Sequence, residues 1–153
     1  MKVLVTLVAI SLAHLMTTTA AAQDEIPAAD KVLIAVQEIC PMSGEKLGAH
    51  GAPVKVQLGE EQIFICCKAC LEREVDPKHW ATIHANFAKA QGICPVMKKE
   101  LPEKAKWTIV KGRIFYICCP PCTDKIAADA DAYVTQLNEL YRKSLAARGV
   151  RIE

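Results

Sequence analysis

Eight cysteines fall into two matching sets of four, and this repetition constrains the 153-residue chain more than any other feature. The first set is Cys40, Cys66, Cys67 and Cys70; the second is Cys94, Cys118, Cys119 and Cys122. Each reads Ile-Cys-Pro, a gap, then Cys-Cys-x-x-Cys. Aligning Cys40 with Cys94 keeps the copies in step. Val54–Leu58 answers to Lys106–Val110, and Gln62–Cys67 to Arg113–Cys119. Cys40 and Cys66 lie 26 positions apart, Cys94 and Cys118 lie 24 apart, and the slack falls in the Gly/Pro-marked loop Glu45 to Pro53.

Both copies predict the same local structure. Two β-rich runs flank a tight turn, Gly59-Glu60 or Lys111-Gly112, which is a hairpin signal. The second run ends at the double cysteine, and a helix is expected from about Lys68 in copy one and Pro120 in copy two, where proline suits a first helical turn. A further helix follows in each. Trp80, Ile83 and Phe87 form one apolar stripe, and Tyr133, Leu137, Leu140, Tyr141 and Leu145 form the other, both read as core. Upstream, Asp30 is expected to cap a helix over Lys31 to Glu38. The fold class expected is α+β: two tandem small modules, each with a cysteine knuckle, a β-hairpin and C-terminal helices. The boundaries are 1–22 for a leader, 23–38 for an N-terminal helix or linker, 39–91 and 92–147 for the repeats, and 148–153 for a tail.

The leader reading rests on Met1-Lys2, an apolar run from Val3 to Met16 and small residues ending at Ala20-Ala21-Ala22, the pattern of a secretory signal peptide. The run is too short to span a membrane as a helix. A mature chain from Gln23 would be secreted or periplasmic, with no membrane association after cleavage. The whole chain carries a formal charge of +2, and Lys2 is the only charge in the leader. That balance gives no electrostatic case for nucleic acid.

A module of about fifty residues buries little surface for its length and usually needs a metal or disulfides. Cys40-Pro41-Met42-Ser43-Gly44 has the form of a zinc knuckle with Ser43 in place of its second cysteine; in Cys94-Pro95-Val96-Met97 that place holds Met97. Thiolates suit zinc and Cu(I) alike, and a thioether would tilt copy two towards Cu(I), unless Met97 is a packing residue. All eight cysteines are therefore candidate ligands for up to one ion per repeat. Cys40, Cys70, Cys94 and Cys122 are the anchors. Cys66 with Cys67, and Cys118 with Cys119, are pairs that point to opposite faces of an extended strand, so both members reach one ion only if the chain turns between them. Cys70 and Cys122, near helix N-termini, are expected to have lowered pKa values. His50, His79 and His84 have no partner at ligand spacing and are read as surface or loop residues, with His50 the one nearest the knuckle.

The pattern Cys40…Cys66-x-x-x-Cys70, with Phe64 before it and Asp76-Pro77 after it, resembles the TRASH and YHS domains. Copy two matches through Cys94…Cys118-x-x-x-Cys122, with Tyr116 before it and Asp129…Tyr133 after it. Together these cover Ile39 to Tyr141. The first gap is longer than the family pattern, Cys67 and Cys119 are additional thiols, and the Tyr-His-Ser triplet does not occur. The resemblance implies treble-clef-like modules that handle heavy metals for buffering, trafficking or sensing, with another metal-handling protein as partner.

Two other readings stay open. Each set of four thiols could close two disulfides, the usual fate of paired cysteines after export, or hold a purely structural zinc, leaving an interaction module with no metal-transfer role. Cys67-Lys68-Ala69-Cys70 and Cys119-Pro120-Pro121-Cys122 also have the redox C-x-x-C form, although half-size repeats do not make a thioredoxin unit. With no nucleophile–base pair, carboxylate pair or phosphate loop, no enzymatic activity is expected.

Overall fold

The computed structural model describes residues 25–152. The expected leader lies outside the described residues. The elements are α1 (Ala28–Gln37), β1 (Val54–Leu58), β2 (Glu61–Ile65), a short 3₁₀ turn (Lys68–Glu72), α2 (Pro77–Gln91), β3 (Lys106–Val110), β4 (Arg113–Ile117), α3 (Pro121–Ala128) and α4 (Ala130–Ala147). The class is α+β, as expected, with two separate two-stranded antiparallel hairpins.

The hairpins form where the sequence placed them. Val54 pairs with Ile65 and Leu58 with Glu61; Lys106 pairs with Ile117 and Val110 with Arg113. Both central residues of the second turn, Lys111 (φ 50°) and Gly112 (φ 74°), take the left-handed conformation that matches a two-residue turn to strand twist. Gly112 has a second constraint. Its carbonyl accepts a hydrogen bond from the Gln62 amide at 2.8 Å, and a Cβ there would lie 2.6 Å from Gln62 Cγ. The tip of the second hairpin is thus fastened to the inner strand of the first.

One core serves both repeats. β2 and β4 are the buried strands, whereas β1 and β3 keep an exposed side. Ile65, Ile83, Phe115, Ile126, Leu137, Tyr141 and Leu145 are nearly fully buried in a single apolar cluster, which also takes in Cys40, Cys66, Cys70, Cys94 and Cys122. α1, α2 and α4 pack on one another, and Phe87 of α2 meets Tyr141 of α4 with ring centroids 5.8 Å apart. Two small modules thereby share the apolar burial that neither supplies alone.

Two local expectations need correction. α1 starts at Ala28 after Pro27, so Asp30 sits inside the first turn; its carboxylate is held by Lys55 Nζ at 2.8 Å and does not cap the helix. After Cys67 the chain makes only a five-residue 3₁₀ turn. The Cys70 amide donates to Cys67 O and the Arg73 amide to Cys70 O, and Arg73 is already extended (φ −105°, ψ 153°). Copy two does form a helix there, beginning at Pro121 behind Pro120. The start of α2 follows the rules for a helix entry, with the Asp76 carboxylate accepting from the Lys78 amide at 2.7 Å and Pro77 in the first turn.

Because Phe115 is completely buried at the centre of the shared cluster, Phe115→Ala should destabilise the whole molecule by about 3–5 kcal/mol. Urea unfolding should show one shifted transition; two transitions, only one of them shifted, would contradict a shared core.

Candidate metal centre

Each Ile-Cys-Pro turn is built by the same set of backbone bonds. In copy one the Cys40 amide donates to Glu45 O (2.8 Å), the Gly44 amide to Cys40 O (2.9 Å) and the Leu47 amide to Glu38 O (2.9 Å). In copy two Cys94 donates to Lys99 O (2.7 Å), Lys98 to Cys94 O (2.9 Å) and Leu101 to Gly92 O (3.0 Å). Both turns enter and leave through left-handed residues: Glu38 and Gly44 in one, Gly92 and Lys98 in the other. In each copy one of these positions is glycine, which adopts that conformation without a side-chain penalty.

A glutamine missed by the sequence analysis holds each turn to its hairpin. Gln37, the last residue of α1, is fully buried. Its Nε2 donates to Ile39 O (2.9 Å) and Phe64 O (2.6 Å), and its Oε1 accepts from the Phe64 amide (2.8 Å). Gln91 at the end of α2 does the same, with Ile93 O (2.9 Å), Tyr116 O (2.7 Å) and the Tyr116 amide (2.9 Å). One side-chain amide thus satisfies three backbone groups and ties helix, knuckle and inner strand together. The signal was present as Gln-x-Ile-Cys-Pro in both copies.

These clamps bring the thiols together. The Sγ atoms of Cys40, Cys66 and Cys70 all lie within 4.8 Å of one another, as do those of Cys94, Cys118 and Cys122. Each triad could hold a metal ion. Cys66 and Cys70 are 3.5 Å apart, and Cys94 and Cys122 are 3.7 Å apart. Tetrahedral coordination with metal–sulfur bonds of about 2.3 Å requires sulfurs ~3.8 Å apart. All eight cysteines are free thiols. The four anchors all lie in triads.

The remaining thiols border the triads. The chain bends after Ile65 and after Ile117, so adjacent cysteines need not diverge as they would in a strand. Cys67 Sγ lies 3.9 Å from Cys66, and Cys119 lies 3.9 Å from Cys118 and 3.1 Å from Cys122. Both are half-buried, as is Cys118 of the second triad. Ser43 Oγ lies 3.4 Å from Cys66 Sγ, on the cluster its missing cysteine would have joined. Met97 is 44 % exposed, which overturns its reading as a packing residue.

The expected lowering of Cys70 and Cys122 is reversed. Burial, followed by hydrogen bonds from Cys66 and Cys40 and the charge of Cys40, pushes the Cys70 thiol up to about 12. Burial, then Cys119 and Cys94, raises Cys122 in the same way. Cys118 is raised chiefly by burial, then by Cys94 and Cys119. The knuckle cysteines move the other way. Burial opposes ionisation of Cys40, but the Ser43 hydroxyl and the amides of Ser43, Cys66 and Met42 outweigh it and bring the thiol down to about 6. Cys94 is lowered against burial by the amides of Met97, Cys118 and Val96. Cys67 is lowered by Cys66 and the Cys70 amide. Cys70 has only a 3₁₀ turn beside it, and at Cys122 the helix end counts for less than burial and the neighbouring thiols. Each knuckle cysteine is thus shifted towards ionisation, and negative charge on it opposes ionisation of its neighbours in the triad.

The histidines also fall differently from their expected places. His50 is a surface residue, 3.6 Å from Glu45. His79, not His50, lies against the first knuckle: its ring packs so closely on Gly44 that a Cβ there would be 2.6 Å from Nε2. His84 is half-buried, between two tryptophans. No family model, curated protein or solved structure matches the chain.

Gln91→Leu keeps the side-chain volume and leaves the Tyr116 amide and two carbonyls without partners. It should cost at least about 1–3 kcal/mol and weaken metal retention in repeat two while sparing repeat one. Thermal unfolding and per-site metal titration would detect this, and equal loss from both repeats would contradict it.

Proposed function

We propose that the protein is an exported metal-binding protein that holds one soft or borderline ion, zinc or Cu(I), in each repeat. The observation that carries the reading is the duplicated triad of free thiols, each bordered by a fourth thiol and each seated on a knuckle that stabilises one thiolate in advance. Cys40, Cys66 and Cys70 would hold the first ion and Cys94, Cys118 and Cys122 the second. Cys67 and Cys119 are the proposed fourth ligands, taking the place left by Ser43 and Met97. The repeated helix, knuckle and hairpin support the treble-clef and TRASH/YHS-like assignment. A role in buffering, delivery or sensing outside the cytoplasm, with a metal-handling partner and no catalysis, follows from that assignment. Among the described residues no helix is long and apolar enough to cross a membrane.

The half-buried position of Cys67 and Cys119 favours transfer over a sealed structural site. A half-buried fourth ligand can be displaced by an incoming thiolate while the triad keeps hold of the ion, and the triad is fully buried in the first repeat.

Protein purified from its native compartment under anaerobic conditions should contain two equivalents of zinc or copper by elemental analysis. Cys40→Ser and Cys94→Ser should each lower the content to one. No metal, with every thiol oxidised, would favour the disulfide scaffold and overturn the proposal.

Binding should also displace protons. Cys70 and Cys122 carry theirs at neutral pH, so metal must compete with them, and affinity falls as pH falls. Below about 6 the Cys40 thiolate is lost as well, and site one should weaken more steeply. Chelator competition between pH 8 and pH 5 would show this; a flat profile would contradict it.

A further inference from the structure

The run Cys119-Pro120-Pro121-Cys122 has the C-x-x-C form of a redox pair, and the metal reading leaves that form unused. Its two sulfurs lie 3.1 Å apart. Two ligands of one tetrahedral ion would stand ~3.8 Å apart, and the two sulfurs of a disulfide about 2 Å apart. The other close thiol pairs are spaced as ligands: Cys66 and Cys70 at 3.5 Å, Cys94 and Cys122 at 3.7 Å, and each adjacent pair at 3.9 Å. Alone among these, Cys119 and Cys122 fall between the two spacings.

Backbone and access both favour closure. The Cys122 amide donates to Cys119 O at 3.1 Å and the Thr123 amide to Pro120 O at 3.0 Å, so the pair sits on one turn at the entry of α3. Pro120 is already helical (φ −55°, ψ −41°), and the two proline rings fix φ through the turn. A bridge therefore has little chain freedom left to remove. Pro120 and Pro121 are exposed and Cys119 is half-buried, whereas Cys122 is buried. A disulfide in solution can reach the first sulfur, with the second directly behind it. The first repeat differs on both counts. Lys68 and Ala69 stand in place of the prolines, and its closest pair there, Cys66 with Cys70, is buried, as is Cys40. Its half-buried thiol, Cys67, is 3.9 Å from Cys66, at ligand spacing.

We propose that Cys119 and Cys122 form a reversible dithiol–disulfide couple that exchanges with small disulfides, and that its closure empties the second metal site while the first stays filled. Cys119 Sγ attacks one sulfur of R–S–S–R. That S–S bond breaks, and one RSH leaves with the Cys119 proton. Cys122 Sγ then attacks Cys119 Sγ, the mixed disulfide breaks, and a second RSH leaves with the Cys122 proton. Two protein thiols are oxidised and one disulfide is reduced to two thiols. With an ion bound, both sulfurs start as thiolates and the two protons come from water. The bridge takes Cys122 out of its triad and Cys119 from beside it. Cys94 and Cys118 remain, two thiols where zinc takes four ligands. Release of the ion rests on the metal reading above; the couple itself does not.

The test treats the reduced, zinc-loaded full chain with oxidised glutathione in the absence of oxygen. One of the two zinc equivalents should pass to a chromogenic chelator. Alkylation followed by mass spectrometry should place the new bridge between Cys119 and Cys122. Excess dithiothreitol should restore both thiols and the second equivalent. In Cys119→Ser, which keeps the triad, neither the bridge nor the oxidant-driven release should appear. A bridge at another pair, no bridge, or equal release from both repeats would overturn the proposal. If the variant does not fold, mapping of the unaltered chain decides. A reduced chain that takes up no zinc defeats the metal reading before any oxidant is added, and the mapping then still decides whether the couple exists.

Discussion

The buried glutamine at the end of α1 and of α2 is the interaction on which the arrangement depends. A primary amide offers two donors and an acceptor in one plane, and here every one faces a backbone group, the bonds to Phe64 and Tyr116 being buried. An unpaired backbone group in such a place would cost about 1–3 kcal/mol, so the geometry is strongly enforced. It fixes where the helix ends, where the knuckle begins and how far along the hairpin the inner strand sits. The distance from Phe64 to Cys66 is two residues, as is that from Tyr116 to Cys118. Fixing the strand at Phe64 or Tyr116 therefore fixes the thiol that follows it.

Much of this was legible in the sequence. The doubled cysteine pattern, the hairpin turns and the apolar stripes of α2 and α4 follow from spacing, turn chemistry and periodicity, which are local. Gln37 and Gln91 were not found, because a glutamine at a helix end ordinarily reads as a solvated residue. Only the repetition of Gln-x-Ile-Cys-Pro marked them. His84 was read as a surface residue because its partners, Glu61, Trp107 and Tyr116, lie on three different strands. Sequence spacing on one helix cannot show a cluster assembled from several elements. Cys70 and Cys122 failed for another reason. Cys70 lies in a 3₁₀ turn with no helix end beside it, and at Cys122 the helix end is outweighed by burial and by neighbouring thiols.

The repeats are equivalent in backbone and unequal in side chains. The first knuckle closes with Ser43 and Gly44, and His79 lies on Gly44; the second closes with Met97 and Lys98, and Met97 is exposed. Ser43 gives the first knuckle sulfur a hydroxyl hydrogen bond, whereas the second has the Cys118 thiol in that role beside its backbone amides. A hydrogen-bonded thiolate is less basic and less nucleophilic. A hydroxyl is a stronger donor than a thiol, so the two knuckle sulfurs sit in unequal surroundings, and the second lies in the cluster where Cys119 and Cys122 are only 3.1 Å apart. Two sites built on one backbone can thus differ in the ease with which an ion enters and leaves, and that difference arises from the residues that replaced the missing knuckle cysteine.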